Sequence, residues 1–465
     1  MIQKAEKRVL LLNPPGRDLY IRDYFCSKTT KSNYLFHPID LLTLSGVFAE
    51  KYHTVVLDAI AERLSFDAAA ARVRAFAPDA IITLVGAVSW DEDRVFLKLI
   101  KQATNATIFA IGDVLHDGGE AILNEESWLD GCFQSFANGD ALALVDGRVD
   151  DLINATVRTG GSTRRARGSK QSGNYRIPIP RHDLFPKTGY SFSFARRAPF
   201  ATVLTDYGCP YPCTFCVIGT LGFATRPVED VVEEFRFLKS IGIRDLFVMD
   251  QTFGIVKKRG MQLCEEMIKE NFNFGWTTYA RPDLADDELL KLMKRAGCHT
   301  IMMGVESPED PVLQSYKKGY GSEAVRDAFR RAKRLGLRTV GTFIIGLPED
   351  TEMSIDETVN YAIELQMDYA SFNVAVPRVG TAFRISAVER GLADPAARVM
   401  DQGGMTASMP TATLSRERML ALKRHAIRKF YLRPSYLLHR LASVRTMHEL
   451  KSQVREGFAL LRRNS

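Results

Sequence analysis

Along the first third of the chain, short runs of apolar residues alternate with longer stretches in which apolar residues recur at helical spacing. The apolar runs show no polar alternation, which is typical of strands that are buried on both faces. Helix-length segments between such strands predict βαβ units and an open, Rossmann-like parallel sheet. The predicted strands are 9–12, 54–57, 80–85 and 107–111, and the predicted helices are 41–50, 67–76 and 91–103.

The loops after these strands are the candidate binding region of this first domain, which we place at residues 1–148. In an open parallel sheet, ligands bind beyond the carboxyl ends of the strands. The candidate positions there are Pro15, Gly86, Gly112 and Asp113.

A linker is predicted at residues 149–198, where the alternation of apolar runs is lost. The segment from Gly160 to Gly173 is rich in Gly, Ser and Arg, and Pro178, Pro180 and Pro186 favour an extended path over a helix.

A second alternating series follows, and it predicts about six strand and helix repeats. Six repeats are too few for a closed eight-unit barrel, so we expect a curved and partly open (β/α)6 barrel over residues 199–400, with its chemistry on the loops after the strands. The predicted strands are 200–205, 245–249, 274–279, 300–304, 339–345 and 370–374, and the predicted helices are 228–241, 257–271, 286–296, 322–335 and 353–365.

The C-terminal region, residues 401–465, is predicted to be helical and is the basic part of the protein. From residue 416 onward there are thirteen lysines and arginines against three glutamates, whereas the whole chain carries a net charge of +7. A basic amphipathic helix at 416–432 can cap the barrel or lie on an anionic membrane, and we favour the cap. A nucleic-acid partner is disfavoured, since no basic and aromatic platform occurs elsewhere.

The composition places the chain among multidomain globular proteins. It has 465 residues, of which 25% are charged and 46% hydrophobic, which excludes disordered, collagen-like and small disulfide-rich proteins. The charged segment 1–8 does not resemble a signal peptide, and no apolar run approaches the roughly 20 residues that span a bilayer. We therefore expect a cytoplasmic protein whose seven cysteines are ligands or core residues.

Three cysteines lie close together directly after the first strand of the second series. Cys209, Cys213 and Cys216 share one loop that is rich in glycine and proline. Thiolates suit iron, and such spacing lets one short loop hold a four-iron cluster in which one iron stays open for catalysis. A zinc site would need a fourth ligand, and no Cys or His occurs in the next 40 residues. Three core cysteines are the other alternative, but a turn-forming loop is an unusual place for them.

This loop, placed after the first strand of a six-unit barrel, resembles the signature of the radical S-adenosylmethionine (SAM) enzymes. The resemblance implies that Cys209, Cys213 and Cys216 bind a 4Fe-4S cluster and that Phe215 contacts the adenine of SAM. It further implies reductive cleavage of SAM to methionine and a 5′-deoxyadenosyl radical. An external electron donor such as flavodoxin or ferredoxin is expected as a partner.

The same resemblance suggests further SAM contacts at the ends of the later strands. It implies that Asp250 lies near the methionyl amine, that Arg281 holds the methionyl carboxylate, and that Glu306 accepts from the ribose hydroxyls. Ile344 and Gly346 belong to a segment that resembles the family's fifth-strand motif. Ordinary ion pairs at strand ends are the alternative for the three charged residues.

The order of domains is similar to the cobalamin-dependent branch of these enzymes, which includes methyltransferases and anaerobic cyclases. The segments that carry this likeness are 11–15, 37–42, 56–59 and 341–348. The likeness implies a cobalamin near Pro15, Gly86, Gly112 and Asp113. A domain that has kept only a structural role is the alternative, since Asp113 stands where a second glycine is usual.

The expected function is radical SAM methylation, through cobalamin, of an unactivated carbon in a small or lipid-like metabolite. A non-methylating cyclase, hydroxylase or rearrangement enzyme is the first alternative, and a non-catalytic iron–sulfur protein is the second. No residue is assigned to proton transfer, and the sequence names neither the substrate nor the oligomeric state.

Overall fold

The computed structural model describes residues 7–23, 27–28, 34–398, 401, 407–443, 454 and 457, and the chain forms two compact units. The first unit comprises Met1–Thr29, Leu35–Ser191 and Leu221–Asp230. The second comprises Thr30–Tyr34, Phe192–Thr220 and Val231–Ser465.

The first unit is an α/β unit built on one large sheet. Its strands are β1 (Arg8–Asn13), β2 (Tyr20–Ile21), β3 (Ser27–Lys28), β4 (His53–Asp58), β5 (Ala80–Leu84), β6 (Thr107–Ile111), β7 (Gly131–Phe133), β8 (Ala155–Thr159) and β9 (Ser162–Arg165). Its helices are α1 (Ile39–Ala49), α2 (Phe66–Phe76), α3 (Trp90–Ala103), α4 (Gly119–Glu125) and α5 (Asp140–Asp146).

The order of strands across this sheet is β4, β1, β5, β6, β7, β8, β9, and the first five of these strands run parallel. The order of the parallel strands reverses between β1 and β5. A reversal of this kind opens a crevice at the carboxyl edge, where ligands of open α/β sheets bind. β8 and β9 add an antiparallel extension, and they lie within the stretch predicted as a linker.

The core of the first unit explains why the central strands read as continuous apolar runs. Leu10 and Ile81 on β1 and β5 are at most 1% exposed, because helices cover both faces of the sheet. Phe96 and Leu97 on α3 belong to the same core. Most polar residues of α3 lie on its exposed face, with Asp93 as a buried exception, and this division gives the helical spacing seen in the sequence.

A buried polar network lies at the carboxyl ends of β1 and β4. The Asn13 amide donates to Asp58 Oδ1 over 2.9 Å, and the Tyr190 hydroxyl donates to Asp58 Oδ2 over 2.8 Å. Arg22 donates to Asn13 over 2.8 Å and forms a 2.6 Å ion pair with Asp93, in which both side chains are fully buried. Removal of one partner from such a pair costs about 3–5 kcal/mol, so this network fixes the loops at the sheet edge.

From Phe200 onward the strands alternate with helices. The strands are β10 (Phe200–Val203), β11 (Asp206–Gly208), β12 (Phe223–Thr225), β13 (Asp245–Val248), β14 (Gly275–Ala280), β15 (Cys298–Glu306), β16 (Arg338–Ile345) and β17 (Tyr369–Val374). The helices are α6 (Val228–Ser240), α7 (Lys257–Lys269), α8 (Asp287–Arg295), α9 (Asp310–Ser315), α10 (Ser322–Arg334), α11 (Glu352–Glu364), α12 (Ala382–Glu389), α13 (Arg416–Tyr431) and α14 (Pro434–Ser443).

The second unit contains a six-stranded parallel sheet in the order β10, β13, β14, β15, β16, β17. The strands lie in chain order with helices between them, as in a partial barrel. The predicted fold class is therefore confirmed: a Rossmann-like parallel sheet, a partial barrel and a helical C-terminal region. The bounds of the four regions predicted from the sequence stay predictions.

The helix α13 packs on the second unit. Met419 and Phe430 on its inner face are fully buried, and Arg418 and Lys429 form ion pairs with Glu352 and Asp356 on α11. The following helix α14 exposes three leucines, and most of the predicted tail after residue 443 lies outside the described residues. Among the helices that the structure describes, none combines the length and apolar character needed to cross a membrane.

Close packing of two loops at the sheet edge predicts the effect of a glycine substitution. A Cβ on Gly112 would lie 1.7 Å from the carbonyl oxygen of Val85, so Gly112→Ala must displace backbone. We expect a loss of about 1–3 kcal/mol in the free energy of unfolding, measured by chemical denaturation. Gly139→Ala, whose Cβ would meet no atom within 4 Å, is the control and should lose less than about 1 kcal/mol. Equal losses in the two variants would contradict this packing.

Candidate functional site

The cysteine loop, residues 209–216, follows β11 in the second unit and contains no helix or strand of its own. Gly208, at the end of β11, has a φ of +73°, which only glycine adopts without strain, and it turns the chain into the loop. The Cys216 amide donates to the Cys213 carbonyl over 3.1 Å and closes a turn around Phe215. The loop must be held in place by other parts of the unit.

Backbone hydrogen bonds connect the middle of this loop to two distant segments. The Thr214 amide donates to the Tyr316 carbonyl over 3.1 Å, and the Thr214 carbonyl accepts from the Phe383 amide over 3.0 Å. Tyr316 follows α9, and Phe383 lies in α12. Both backbone groups of the residue between Cys213 and Phe215 are therefore engaged, which limits the movement of the loop.

The three cysteines are partly exposed as residues and form no disulfide. Burial raises the pKa of Cys209 above its ordinary value and that of Cys216 to about 11, while the positive charge of Lys318 acts in the opposite direction at both thiols. Within the described residues, no three His, Cys, Asp or Glu side chains are grouped as a single metal ion would require. A four-iron cluster does not require the three thiols to converge on one metal ion, since each cysteine binds its own iron. Three thiols on one loop, with positive charge nearby, fit such a cluster.

Arg281, after β14, holds the cysteine loop from one side. Its guanidinium carbon lies 3.6 Å from the ring centroid of Tyr211, which is in the loop. Nε and Nη2 donate to the two carboxylate oxygens of Asp283, both over 3.0 Å, and Nη2 also donates to the Lys318 carbonyl over 2.8 Å. Asp283 is therefore bound by two hydrogen bonds to Arg281, the residue for which the resemblance implies a contact with the methionyl carboxylate.

Glu306, at the end of β15, is paired with a buried lysine. Its Oε1 accepts from Lys318 Nζ over 2.6 Å, and both side chains are almost fully buried. The φ of Glu306 is +65°, and the pairing of β15 with β16 shifts register between Gly304 and Glu306. A left-handed glutamate in a β-bulge is a strained conformation of the kind that accumulates at functional sites.

Phe215 and Ile344 lie against the same hydrophobic cluster. Both are partly buried, and both pack on a group that includes Leu347, Phe383 and Met409. The Phe215 ring also lies 5.5 Å from Lys318 Nζ. Two of the predicted SAM contacts are thus brought together beside the cysteines, at the carboxyl ends of the barrel strands.

Gly346 has a structural function that the sequence did not suggest. Its φ is +81°, and its amide donates to Asp350 Oδ2 over 2.7 Å. A Cβ here would lie 1.8 Å from the sulfur of Met419 on α13. The C-terminal helix therefore covers this position.

Asp250, after β13, is fully buried and points toward the residues that lead into β11. Its Oδ1 accepts from the Thr205 and Asp206 amides over 2.6 and 2.9 Å, and its Oδ2 accepts from the Thr205 hydroxyl over 2.5 Å. Arg259 pairs with Asp206 over 2.7 Å. Burial and then the Asp250 charge raise the pKa of Asp206.

The four positions predicted for cobalamin follow strands of the first unit. Pro15 follows β1, Gly86 follows β5, and Gly112 and Asp113 follow β6. The Gly86 amide donates to Asp93 over 3.0 Å, and the Ala87 amide donates to Asp113 Oδ1 over 2.8 Å. These loops are therefore ordered by their own contacts.

Sequence reasoning missed three residues that shape the site in the second unit: Asp283, Lys318 and Tyr320. Lys317 and Lys318 look equivalent in the sequence, although only Lys318 is buried. The Tyr320 ring lies 4.8 Å from the Arg281 guanidinium and 5.5 Å from Lys318 Nζ. One sequence pattern could have indicated Lys318 and Tyr320. It consists of a lysine, Gly319 and an aromatic residue in succession, shortly after a carboxylate at the end of a strand.

Comparison with known proteins gives a family match. The sequence profile of the Radical SAM superfamily matches residues 203–362. This range contains the cysteine loop, Asp250, Arg281 and Glu306.

The similarity to individual proteins extends further. The chain is 30% identical over 417 residues to the uncharacterized methyltransferase PH0819 of Pyrococcus horikoshii, covering 86% of this chain and 89% of that protein. It is 27% identical over 177 residues to the anaerobic magnesium-protoporphyrin IX monomethyl ester cyclase of Cereibacter sphaeroides, covering 37% of this chain and 29% of that protein. Its fold is similar to the radical SAM methyltransferase TsrM of Kitasatospora setae, solved with cobalamin and a [4Fe-4S] cluster, with a TM-score of 0.71, 18% identity, and coverage of 98% and 99%.

The contacts of Asp250 predict a loss of stability on conversion to its amide. In Asp250→Asn, an NH2 group would face the donors of Thr205 or Asp206, which we expect to cost about 1–3 kcal/mol in the free energy of unfolding. Glu323→Gln, at an exposed position on α10, is the control and should stay within about 0.5 kcal/mol. An Asp250→Asn variant of normal stability but weakened SAM binding would instead support the role predicted from the sequence.

Proposed function

The chain belongs to the radical SAM superfamily, and from this premise we propose that Cys209, Cys213 and Cys216 hold the 4Fe-4S cluster that this enzyme uses with SAM. When bound, the cluster supplies an electron that cleaves SAM into methionine and a 5′-deoxyadenosyl radical. The observation that carries this proposal is the position of three thiols on one loop at the carboxyl end of a parallel barrel. The proposed electron donor is an external reductant such as flavodoxin or ferredoxin, and the partial exposure of the three cysteine residues is consistent with electron transfer from outside the protein.

The residues around the loop give SAM a polar and an apolar side. The Phe215 ring, with Ile344 beside the same cluster, offers an apolar surface to the adenine. Glu306 offers a carboxylate to the ribose hydroxyls while Lys318 holds one of its oxygens.

Arg281 places positive charge near the methionyl carboxylate, and since Asp283 engages Nε and Nη2, this contact would use Nη1. Asp250 and Gly346 support the loops around them.

The first unit is proposed to bind cobalamin, which supplies a transferable methyl group when bound. Two observations support this: the reversal of strand order between β1 and β5, and the similar fold of TsrM, a structure that contains cobalamin. The loops with Pro15, Gly86, Gly112 and Asp113 lie at the appropriate edge of the sheet. Gly112 is itself packed on Val85, so its lack of a side chain serves the protein's own packing. The proposed reaction is methylation of a carbon in a small or lipid-like metabolite.

A second candidate function is a radical cyclisation without methyl transfer. It is favoured by the similarity to a cyclase, which covers 37% of this chain. The same cluster and SAM contacts would serve both reactions, so the two candidates differ in their products.

Loss of one thiol tests the cluster assignment. In Cys213→Ala we expect the anaerobically reconstituted protein to lose both the visible absorbance of the cluster and the formation of 5′-deoxyadenosine from SAM, because two cysteines cannot replace three ligands. Cys264→Ala, which removes a fully buried thiol of α7, is the matched control and should keep both. Retention of both properties in Cys213→Ala would contradict the assignment.

Product analysis tests the choice between methyl transfer and cyclisation. With cobalamin supplied during expression, we expect a bound corrin spectrum and the formation of S-adenosylhomocysteine together with 5′-deoxyadenosine. The reason is that methyl transfer and radical formation each consume SAM. Bound corrin with 5′-deoxyadenosine alone, during substrate turnover, would favour the second candidate.

A further inference from the structure

Lys318 is an ionisable residue at the cysteine loop, and the proposed function uses only its contact with Glu306. Its side chain is 10% exposed, whereas the neighbouring Lys317 is exposed to solvent. The backbone of Lys318 is fixed at both ends, because its amide donates to the Leu313 carbonyl over 2.9 Å and its carbonyl accepts from Arg281 over 2.8 Å. The burial of this lysine is therefore imposed by the fold.

The ammonium group of Lys318 lies among groups that keep it charged. It donates to Glu306 over 2.6 Å and lies 5.5 Å from the ring centroids of both Phe215 and Tyr320. Burial opposes its charge, but Glu306, followed by Tyr320 and Cys213, outweighs this effect and raises the pKa of the ammonium. Phe215 precedes Cys216 in the chain, so the positive charge lies directly beside the cysteine loop.

Glu306 needs this partner because its carboxylate is held close to the same loop. The bulge in β15 and the left-handed backbone of Glu306 direct its side chain back over Gly304, where a Cβ would lie 2.5 Å from Oε1 and 2.9 Å from Lys318 Nζ. Gly304 thus provides space for the ion pair. An unpaired carboxylate at this position would add negative charge beside three thiolates, which is unfavourable where water is excluded.

We propose that Lys318 is a positioning residue that holds the Glu306 carboxylate over Gly304 and compensates its charge beside the cysteine loop, so that the pair sets the reduction potential of the cluster. The inference rests on the proposed function in one respect, the binding of a cluster by the three cysteines. Reduction adds one electron to the cluster from the chemical titrant, and no bond to Lys318 or Glu306 changes. The net charge near a cluster is one of the factors that set its potential.

The test is an anaerobic redox titration of the reconstituted cluster with dithionite, followed by the electron paramagnetic resonance signal of the reduced state. Lys318→Met leaves the carboxylate uncompensated and is expected to shift the midpoint potential to more negative values. Glu306→Gln leaves the ammonium and is expected to shift it to more positive values. The double variant should return toward the potential of the unaltered protein, and Lys317→Met should not change it.

Opposite shifts distinguish this function from a merely structural ion pair, which would lower stability in both single variants without such a sign reversal. Lys318→Arg keeps the positive charge and should keep the midpoint potential of the cluster. If Lys318→Met does not fold, Glu306→Gln alone tests the sign of the shift in potential. Unchanged potentials, or shifts of the same sign in the two single variants, would overturn the inference while the cluster assignment stands. An unaltered chain that takes up no cluster would instead overturn the proposed function and the inference with it.

Discussion

The cysteine loop depends on contacts from the rest of the barrel, because it has no regular backbone hydrogen bonding of its own. The Tyr316 carbonyl and the Phe383 amide hold its middle, and the guanidinium carbon of Arg281 lies 3.6 Å from the ring centroid of Tyr211 within it. These contacts come from segments after β14, after β15 and after β17, which a parallel sheet brings to one edge. The geometry of the thiols is thus a property of the whole partial barrel.

The charged residues at the strand ends form pairs with each other before any ligand is considered. Asp250 accepts three hydrogen bonds from Thr205 and Asp206, and Arg281 is bound to Asp283. Such pairs preorganise a site, because groups that are already oriented lose little freedom when a ligand binds. The SAM contacts expected for Asp250 and Arg281 stay predictions; in the structure, Asp250 supports the approach to the cysteine loop, and Asp283 engages Nε and Nη2 of Arg281.

Hydrophobic periodicity predicted most strands and helices to within one or two residues, since buried parallel strands are continuous apolar runs. Among the strands that it did not predict is β9, which has the sequence Ser-Thr-Arg-Arg and forms a polar edge of the sheet. The cysteine loop was evident because its chemistry lies in three spaced residues. The Glu306–Lys318 pair was not, since its partners are 12 residues apart and the choice between Lys317 and Lys318 is made by the backbone after α9.

The basic C-terminal region shows how a charge pattern acquires a different meaning in the folded chain. The positive residues Arg418 and Lys429 on α13 neutralise Glu352 and Asp356 on α11, while the opposite face buries Met419 and Phe430. The sulfur of Met419 occupies the space where a side chain of residue 346 would stand, so the glycine after β16 is required by the helix that covers it. Gly346, which was predicted as a SAM contact, therefore packs directly against α13, which was predicted as a cap. The helix α13 is an integral part of the barrel end.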